Sequence, residues 1–422
     1  MKMNRGWLVT FSGTGLNLAL GVLYSWSVFG KQLTDTLDKG GFGWTKTQAA
    51  LPYTIAIAFF AGMMVPAGRL QDKFGPRIVA TIGAILTGLG LIVAGFASPG
   101  NMAPIIIGFG ILAGTGIGLG YASATPAAVK WFPPAKKGLI TGIVVSGFGL
   151  ASVYIAPLSR YLLGRYGVNT SFIILGVAFA IATVIICQFI RNPETAAVSV
   201  ASQGQTSQVK VDYTWREMMK TRTFYLLWIE YVCGAMAGLM IIGHLARIVA
   251  VQSDNVIQTG FLFVALLAIF NAGGRLVAGV MSDYIGRMKT ILLVFISQAI
   301  IMFLFGRFST ITAFVVGSAV VGFSYGACLS VFPATTADHW GTKNLGLNYG
   351  IMFTAWGVGG VFGPILAGKV ADATGSYTTA YMISAALLIF AAILTFFTKA
   401  PEKETVKQPA FQAVAAKEVR AS

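Results

Sequence analysis

Charge is scarce in this chain. Asp, Glu, Lys and Arg together make up 10% of its 422 residues, against about a quarter in soluble globular domains. Acids are the rarer sign: 14 carboxylates face 30 Lys and Arg, for a net charge of +16. Cysteine occurs only as Cys187, Cys233 and Cys328, all in apolar runs. That scatter builds neither a disulfide framework nor a thiolate metal site, and two isolated histidines make no zinc site. No Gly-x-x-x-x-Gly-Lys-Ser/Thr loop occurs, which argues against an ATP-driven pump within this chain. The Gly114-x-Gly116-x-Gly118-x-Gly120 run has no strand before it, and small residues at this density let membrane helices approach closely. No placed nucleophile, acid–base pair or metal set stands in the apolar runs, so the chain does not read as an enzyme and calls for no cofactor.

What is present is apolar surface. Apolar residues make up 56% of the chain, with 51 Gly and a mean hydropathy of +0.75. Crossing a bilayer takes roughly 20 apolar residues per helix. Twelve runs qualify, at about 7–29, 47–69, 77–97, 103–128, 138–160, 170–190, 223–246, 257–281, 290–307, 311–333, 344–368 and 378–398. They are numbered spans 1 to 12 below. This predicts an all-α membrane protein with twelve transmembrane helices. No small-x-small cleavage site precedes the first run, so span 1 reads as uncleaved.

One long polar link, residues 192–222, divides six spans from six. The expected organisation is a first six-helix bundle at 1–191, a cytoplasmic linker at 192–222, a second six-helix bundle at 223–400 and a cytoplasmic tail at 401–422. The positive charge lies in the short loops, which is a topology signal and not a nucleic-acid surface. With the N-terminus inside, twenty-one basic residues lie on the inner side, eight on the outer, and Arg275 falls within span 8. The asymmetry places both termini in the cytoplasm of a multi-pass inner (plasma) membrane protein.

The two halves echo each other. Gly68-x-x-x-Asp72-x-x-Gly75 follows span 2, and Gly279-x-x-x-Asp283-x-x-Gly286-Arg287 follows span 8. Gly138-Leu139-x-x-Gly142 matches Gly346-Leu347-x-x-Gly350, and Gly167 matches Gly375 at the same offset. Paired repeats of six spans suit a carrier whose two bundles rock about a midplane site.

Within this frame Arg275 stands out. An ionised arginine inside a span is costly and normally faces a bundle interior or a water-filled path. Its helical neighbours at i±3 and i±4, Asn271, Ala272, Ala278 and Gly279, carry no charge. The simplest counter-charge is an anionic substrate, because a planar guanidinium matches a carboxylate through two parallel hydrogen bonds. A structural arginine held by backbone carbonyls or by Glu230 is the competing reading. Asn271 lies one turn away on the same face and can donate to a substrate or act as a packing amide.

The loop stretches at 68–77 and 279–289 resemble the two copies of the loop signature of the major facilitator superfamily. Tyr24-Ser25-Trp26, Gly40-Gly41-Phe42-Gly43-Trp44, Trp131-Phe132-Pro133, Lys137-Gly138-Leu139 and residues 214–227 further resemble its oxalate/formate antiporter and monocarboxylate transporter branch. The resemblance implies two six-helix bundles related by a pseudo-two-fold axis. It implies transport of small monocarboxylates such as L-lactate or pyruvate by proton-coupled alternating access, by a monomer whose partners are substrate, protons and the lipid bilayer. It places Arg275 where this branch pairs a substrate carboxylate, and Tyr24, Tyr121 and Tyr325 where hydroxyls line the pocket. The chain departs from the pattern twice. Asn271 stands where many monocarboxylate transporters carry Asp, and Phe353-Thr354-Ala355-Trp356-Gly357 lacks the lysine that oxalate exchangers carry in span 11. A single cation suits a single carboxylate; an oxalate/formate-type exchanger without proton coupling is the alternative.

Further candidates follow from residue chemistry. Phe332, Phe353 and Trp356 are candidates for an apolar lid over a short alkyl chain. Glu230, the only acid within a span, and His244, beside Arg247, are candidate proton carriers. Their competing readings are a packing carboxyl paired with an arginine and a solvated interface histidine. Asp72, Arg77, Asp283 and Arg287 are expected to form charge networks that tie span ends together and latch the outward-facing state.

Overall fold

A computed structural model describes residues 5–132, 137–193, 212–341 and 344–401. Ten of its helices are long and apolar enough to cross a membrane. One of them, Lys137–Cys187, runs 51 residues. At 1.5 Å per residue it would span over twice the roughly 30 Å hydrocarbon core. It breaks at Gly167 (φ 73°, ψ −179°) and makes two crossings, spans 5 and 6. The shorter apolar helix Thr378–Leu394 supplies span 12, for twelve crossings among the described residues. The others are Arg5–Thr34, Lys46–Phe74, Pro76–Ala94 and Ala103–Val129 for spans 1 to 4. Arg222–Gln252, Gly260–Ile285, Arg287–Phe305, Ile311–Trp340 and Leu345–Thr374 form spans 7 to 11. Residues 194–211 of the expected linker and the expected tail from residue 402 lie outside the described residues.

The sequence repeat reappears as backbone geometry. Gly75 (φ 82°, ψ 156°) and Gly286 (φ 94°, ψ 150°) turn the chain between spans 2 and 3 and between spans 8 and 9. Gly167 and Gly375 share positive φ values of 73° and 74°. A side chain at any of these four places would meet the left-handed backbone penalty, so glycine is the residue that fits.

Packing follows the same two-fold. In the first half span 1 lies against 4 and 5, and spans 2 and 3 against 4; in the second half span 7 lies against 11 and 12, and span 8 against 10. The halves meet through three seams: span 2 on 11, span 5 on 8, and span 1 on 7. Exchanging each span for its repeat partner turns the first seam into the second and leaves the third unchanged, as an approximate two-fold axis requires. Spans 6 and 9 present outward apolar stripes at helical spacing, Ile174, Val177, Ile181, Ile185 and Leu293, Ile296, Ile300, Phe303. Such stripes suit lipid contact. Span 7, by contrast, is buried almost all round.

The span 4 glycines act as close-packing points. A Cβ on Gly116 would lie 2.5 Å from the Gly83 carbonyl of span 3, and one on Gly114 2.6 Å from the Ala56 carbonyl of span 2. Alternate glycines thus seat two neighbouring helices. Span 1 is interrupted by a 3-10 turn, Gly21–Ser25. There a Cβ on Gly21 would meet that of Ala151 at 2.2 Å, so span 5 crosses tightly at the turn that carries Tyr24. The three cysteines are buried and free.

Candidate functional site

Arg275 sits midway along span 8, 4% exposed, at the seam with span 5. Its Nε donates to Asn271 Oδ1 at 3.0 Å, one turn earlier on the same face. Its Nη1 donates to the Val145 carbonyl of span 5 at 2.8 Å, so the guanidinium reaches across between the halves. Its Nη2 is buried without a hydrogen-bond partner, and so is Asn271 Nδ2. Among the described residues no carboxylate pairs with Arg275. A backbone carbonyl takes one donor, as the structural reading anticipated, and Glu230 takes none. Two buried donors, on side chains bonded to each other, therefore lack an acceptor. An unsatisfied buried polar group costs about 1–3 kcal/mol, more when charged, and the pair is a ready binding surface for an anion.

The tyrosines converge on this place. The Tyr24 and Tyr325 hydroxyls are 2.7 Å apart, joining span 1 to span 10 across the halves. Trp356 Nε1 donates to the Tyr325 hydroxyl at 2.6 Å. Tyr24 and Tyr121 both lie within interaction range of the Arg275 charge. Tyr24 and Tyr325 are fully buried and Tyr121 half-buried.

Aromatic rings enclose the group. Phe353 and Trp356 stack at 4.8 Å, Phe60 meets Trp356 edge-on at 5.0 Å and Tyr121 at 5.4 Å, and Phe148 bridges Tyr121 (5.3 Å) and Tyr24 (4.9 Å). Edge-on and offset pairs at these separations are favourable beyond simple burial. Of the expected lid residues, Phe353 and Trp356 join this wall. Phe332 stands one layer back, stacked on Tyr231 at 4.2 Å, and Tyr231 in turn touches Phe353. Phe60, Phe148 and Tyr231 escaped the sequence reading. They are aromatic residues in uniformly apolar spans, where no polar contrast marks an inward face.

The two candidate proton carriers stand apart from Arg275 and from each other. Glu230, fully buried, accepts from Thr398 Oγ1 at 2.5 Å beyond the end of span 12, and its Oε2 has no partner. The anticipated arginine partner is a threonine instead, because the side chain points into its own bundle. His244 is 6% exposed, which corrects the expectation of a solvated ring. Its Nε2 lies 3.0 Å from the Pro364 carbonyl, which can only accept, so Nε2 carries the hydrogen. Nδ1 lies 3.4 Å from the Tyr377 hydroxyl.

Some of the charge contacts expected at the span ends are present. Arg287 pairs with Asp283 at 2.6 Å and with Asp338 of span 10 at 2.9 Å, tying spans 8, 9 and 10 together. Arg77 donates to the amide oxygen of Gln188 at 2.8 Å, a neutral partner where an acid was expected, because the end of span 6 lies beside the start of span 3. The Asp72 side chain lies outside the described residues. These contacts run within each half.

Charged contacts that join the ends of the two halves lie elsewhere, at the end away from the termini. The Asp372 carboxylate of span 11 accepts from the Lys46 and Thr47 backbone N–H groups, each at 2.8 Å, and from Thr47 Oγ1 at 2.6 Å. Lys46 Nζ donates to the Ala371 carbonyl at 2.6 Å. Arg247 of span 7 lies 3.6 Å from Asp35 and donates to Thr34. This end of the molecule is bridged shut.

Comparison with known proteins adds four findings. The model of the Major Facilitator Superfamily matches residues 6–275 and 250–421. The oxalate:formate antiporter of Oxalobacter formigenes is 31% identical over 386 residues, covering 89% of this chain and 87% of that protein. Monocarboxylate transporter 13 of Bos taurus is 24% identical over 396 residues, covering 91% of this chain and 87% of that protein. Among solved structures, a bacterial homologue of the human lysosomal transporter Spinster, inward-facing and unoccupied, superposes with a TM-score of 0.67. It covers 94% of this chain and 97% of that one at 17% identity, a likeness of fold.

Proposed function

The chain belongs to the Major Facilitator Superfamily and is a multi-pass membrane transporter, not an enzyme; from that premise we propose that it carries small monocarboxylates, L-lactate- or pyruvate-like, by proton-coupled alternating access. The observation that carries this reading is the buried Arg275 guanidinium without a carboxylate partner, its Nη2 unpartnered like the Nδ2 of Asn271, the side chain it bonds. A carboxylate oxygen accepts from each donor, and the Tyr121 hydroxyl and the one proton left free by the Tyr24–Tyr325 pair serve the remaining lone pairs. The stacked Phe353 and Trp356, with Phe332 behind them, meet the alkyl end. One cation matches one carboxylate, which favours monoacids over dianions. Glu230 and His244 are the residues through which a proton moves. Asp72, Arg77, Asp283 and Arg287 hold the span ends as each half turns.

The bundles comprise residues 1–191 and 223–400, joined by a linker at 192–222 and followed by a tail from 401. The carrier works as a monomer in the inner membrane. The basic loops put the termini in the cytoplasm, which makes the Asp372 and Arg247 end the outer one.

The test is uptake of labelled L-lactate into proteoliposomes. Uptake driven by an inward proton gradient, and lost in Arg275→Ala and Arg275→Lys, is the expected result. Parental transport by either variant refutes the Arg275 assignment. The second reading is an oxalate/formate-type exchanger without proton coupling, and its support is the 31% identical oxalate:formate antiporter. It predicts counterflow of loaded vesicles that is indifferent to the proton gradient.

A further inference from the structure

The polar groups around Arg275 sort into donors and acceptors. Asn271 Oδ1 accepts from Arg275 Nε, and the Val145 carbonyl accepts from Nη1. The two buried groups left over, Arg275 Nη2 and Asn271 Nδ2, only donate. Tyr24 and Tyr121 lie within interaction range of the same guanidinium. A cation draws hydroxyl lone pairs towards itself and turns the protons away.

A third group directs the Tyr24–Tyr325 pair. A phenol has one proton to give, and an indole N–H has no lone pair to offer. Trp356 Nε1 donates to the Tyr325 oxygen at 2.6 Å, and the Tyr325 and Tyr24 oxygens are 2.7 Å apart. With its oxygen already accepting, Tyr325 donates to Tyr24. Each oxygen then accepts one bond, and hydrogen bonds that run one way along a chain strengthen each other. The opposite direction would crowd two donors onto the Tyr325 oxygen. All three side chains are buried. The proton left over therefore belongs to Tyr24, the member of the pair that borders Arg275.

We infer that this site selects 2-oxo acids over 2-hydroxy acids, and that Trp356 sets the preference by fixing the direction of the Tyr325–Tyr24 chain. That selectivity presupposes the monocarboxylate reading of Arg275 and narrows it. Arg275 and Asn271 hold the carboxylate, and the Tyr24 proton meets the oxygen on C2. A keto oxygen only accepts, so it suits a wall of donors. A hydroxyl in its place also accepts, but it brings a proton of its own to acceptors that are already engaged. A site that hydrogen-bonds a substituent discriminates against an analogue that leaves a buried group unpaired. The Trp356 ring faces the alkyl end, while its N–H acts through two hydroxyls, which makes it a positioning residue for the C2 oxygen. The Tyr53 hydroxyl is buried and unpartnered too, but its ring packs against Gly243 of span 7, and it serves as a control.

Titration calorimetry of the full-length protein in detergent, with pyruvate, L-lactate and propionate, tests this. The acids share one carbon skeleton and differ at C2. Pyruvate should bind at least about fivefold tighter than either of the others. That factor corresponds to about 1 kcal/mol, the low end for a stranded donor. Tyr24→Phe should bring pyruvate within twofold of propionate and leave propionate itself within twofold of its parental value. Trp356→Phe keeps a ring but frees the chain to reverse and bare the Tyr24 lone pairs to a hydroxyl. The pyruvate advantage over lactate should then fall at least threefold, chiefly through tighter lactate binding, whereas a merely structural loss weakens all three acids together. Tyr53→Phe should leave the ranking as it was. Should Trp356→Phe not fold, the parental ranking and Tyr24→Phe decide.

A parent that binds lactate as tightly as pyruvate overturns the selectivity. So does a folded Tyr24→Phe or Trp356→Phe protein that keeps the parental ratios, or loss of the preference in Tyr53→Phe. Equal binding of the three acids that is lost for all of them in Arg275→Gln leaves the monocarboxylate reading standing without the selectivity. A parent that binds none of them overturns both.

Discussion

Asp372 offers a quantitative handle on how the two halves separate. It caps span 2 from the opposite half, accepting two backbone N–H groups and a hydroxyl. Replacing a capping carboxylate typically costs about 0.5–2 kcal/mol, and its charge at a helix N-terminus about 0.3–1 kcal/mol more. The group is exposed, so the lower part of that combined range applies and about 1.4 kcal/mol is a reasonable figure. Span 2 itself does not lose its cap. Thr45 accepts from the Gln48 N–H at 3.1 Å while the Gln48 side chain accepts from the Thr45 N–H at 2.8 Å, a complete capping box of local residues. The loss in Asp372→Ala therefore falls on closure of the halves and not on folding of the helix. A shift of about 1.4 kcal/mol multiplies the open population about tenfold where closure dominates. Ala49→Cys, on the wall of a small cleft between the halves at this end and 4% exposed, reports it. Its rate of reaction with an impermeant maleimide tracks the open fraction, against a background kept low by three buried cysteines. An approximately tenfold faster rate with Asp372→Ala is expected. An unchanged rate, with thermal stability lowered instead, refutes the assignment of this contact to closure.

Arg275→Lys keeps the charge but cannot hold Asn271 and Val145 while presenting a third donor, so lactate uptake should fall at least 30-fold, the low end for disrupting a buried charge pair of about 2–5 kcal/mol. Asn271→Asp places a carboxylate at the 3.0 Å contact with Arg275 Nε. The internal anion should compete with substrate, weakening lactate binding more than tenfold at pH 8 and recovering on acidification, which a binding titration at pH 8 and pH 5 checks. Tyr325→Phe leaves the Trp356 indole N–H buried without an acceptor. A cost of about 1–3 kcal/mol should lower the melting temperature by a few degrees. Gly116→Val drives a branched side chain into the Gly83 carbonyl; little folded protein should be recovered by size-exclusion chromatography, whereas a fully stable variant would overturn the close-packing account.

The architecture was largely readable from the sequence because membrane spans announce themselves by length. The Gly75/Gly286 and Gly167/Gly375 echoes were readable as a repeat, and the structure adds that each stands at a positive φ. Arg275 and Asn271 were readable as a pair because one helical turn separates them. Their cross-half partner, the Val145 carbonyl, was not, since any backbone offers one. Phe60 and Phe148 were hidden by the absence of polar contrast in their spans. Asp372 lay past the expected end of span 11 near residue 368, and nothing local reveals that the start of span 2 packs on the end of span 11. The Gln188 partner of Arg77 illustrates the same limit: motif acids suggested an ion pair, and tertiary placement supplied an amide.

The seam of spans 2 and 11 and the seam of spans 5 and 8 are counterparts, yet they are not fastened alike. Asp372 stands three residues before Gly375; three residues before Gly167 stands Gly164, which has no side chain to offer. Among the described residues at the end away from the termini, the 2–11 edge is fastened by a carboxylate on a helix N-terminus, whereas the other edge has the longer Lys31–Gln258 bond at 3.4 Å. When that end gives way, it should hinge on the fastened edge and gape first along the other. The side where Arg160 and Gln258 face Lys31 then becomes the natural mouth, and solute traffic through a nearly symmetric protein acquires a preferred flank.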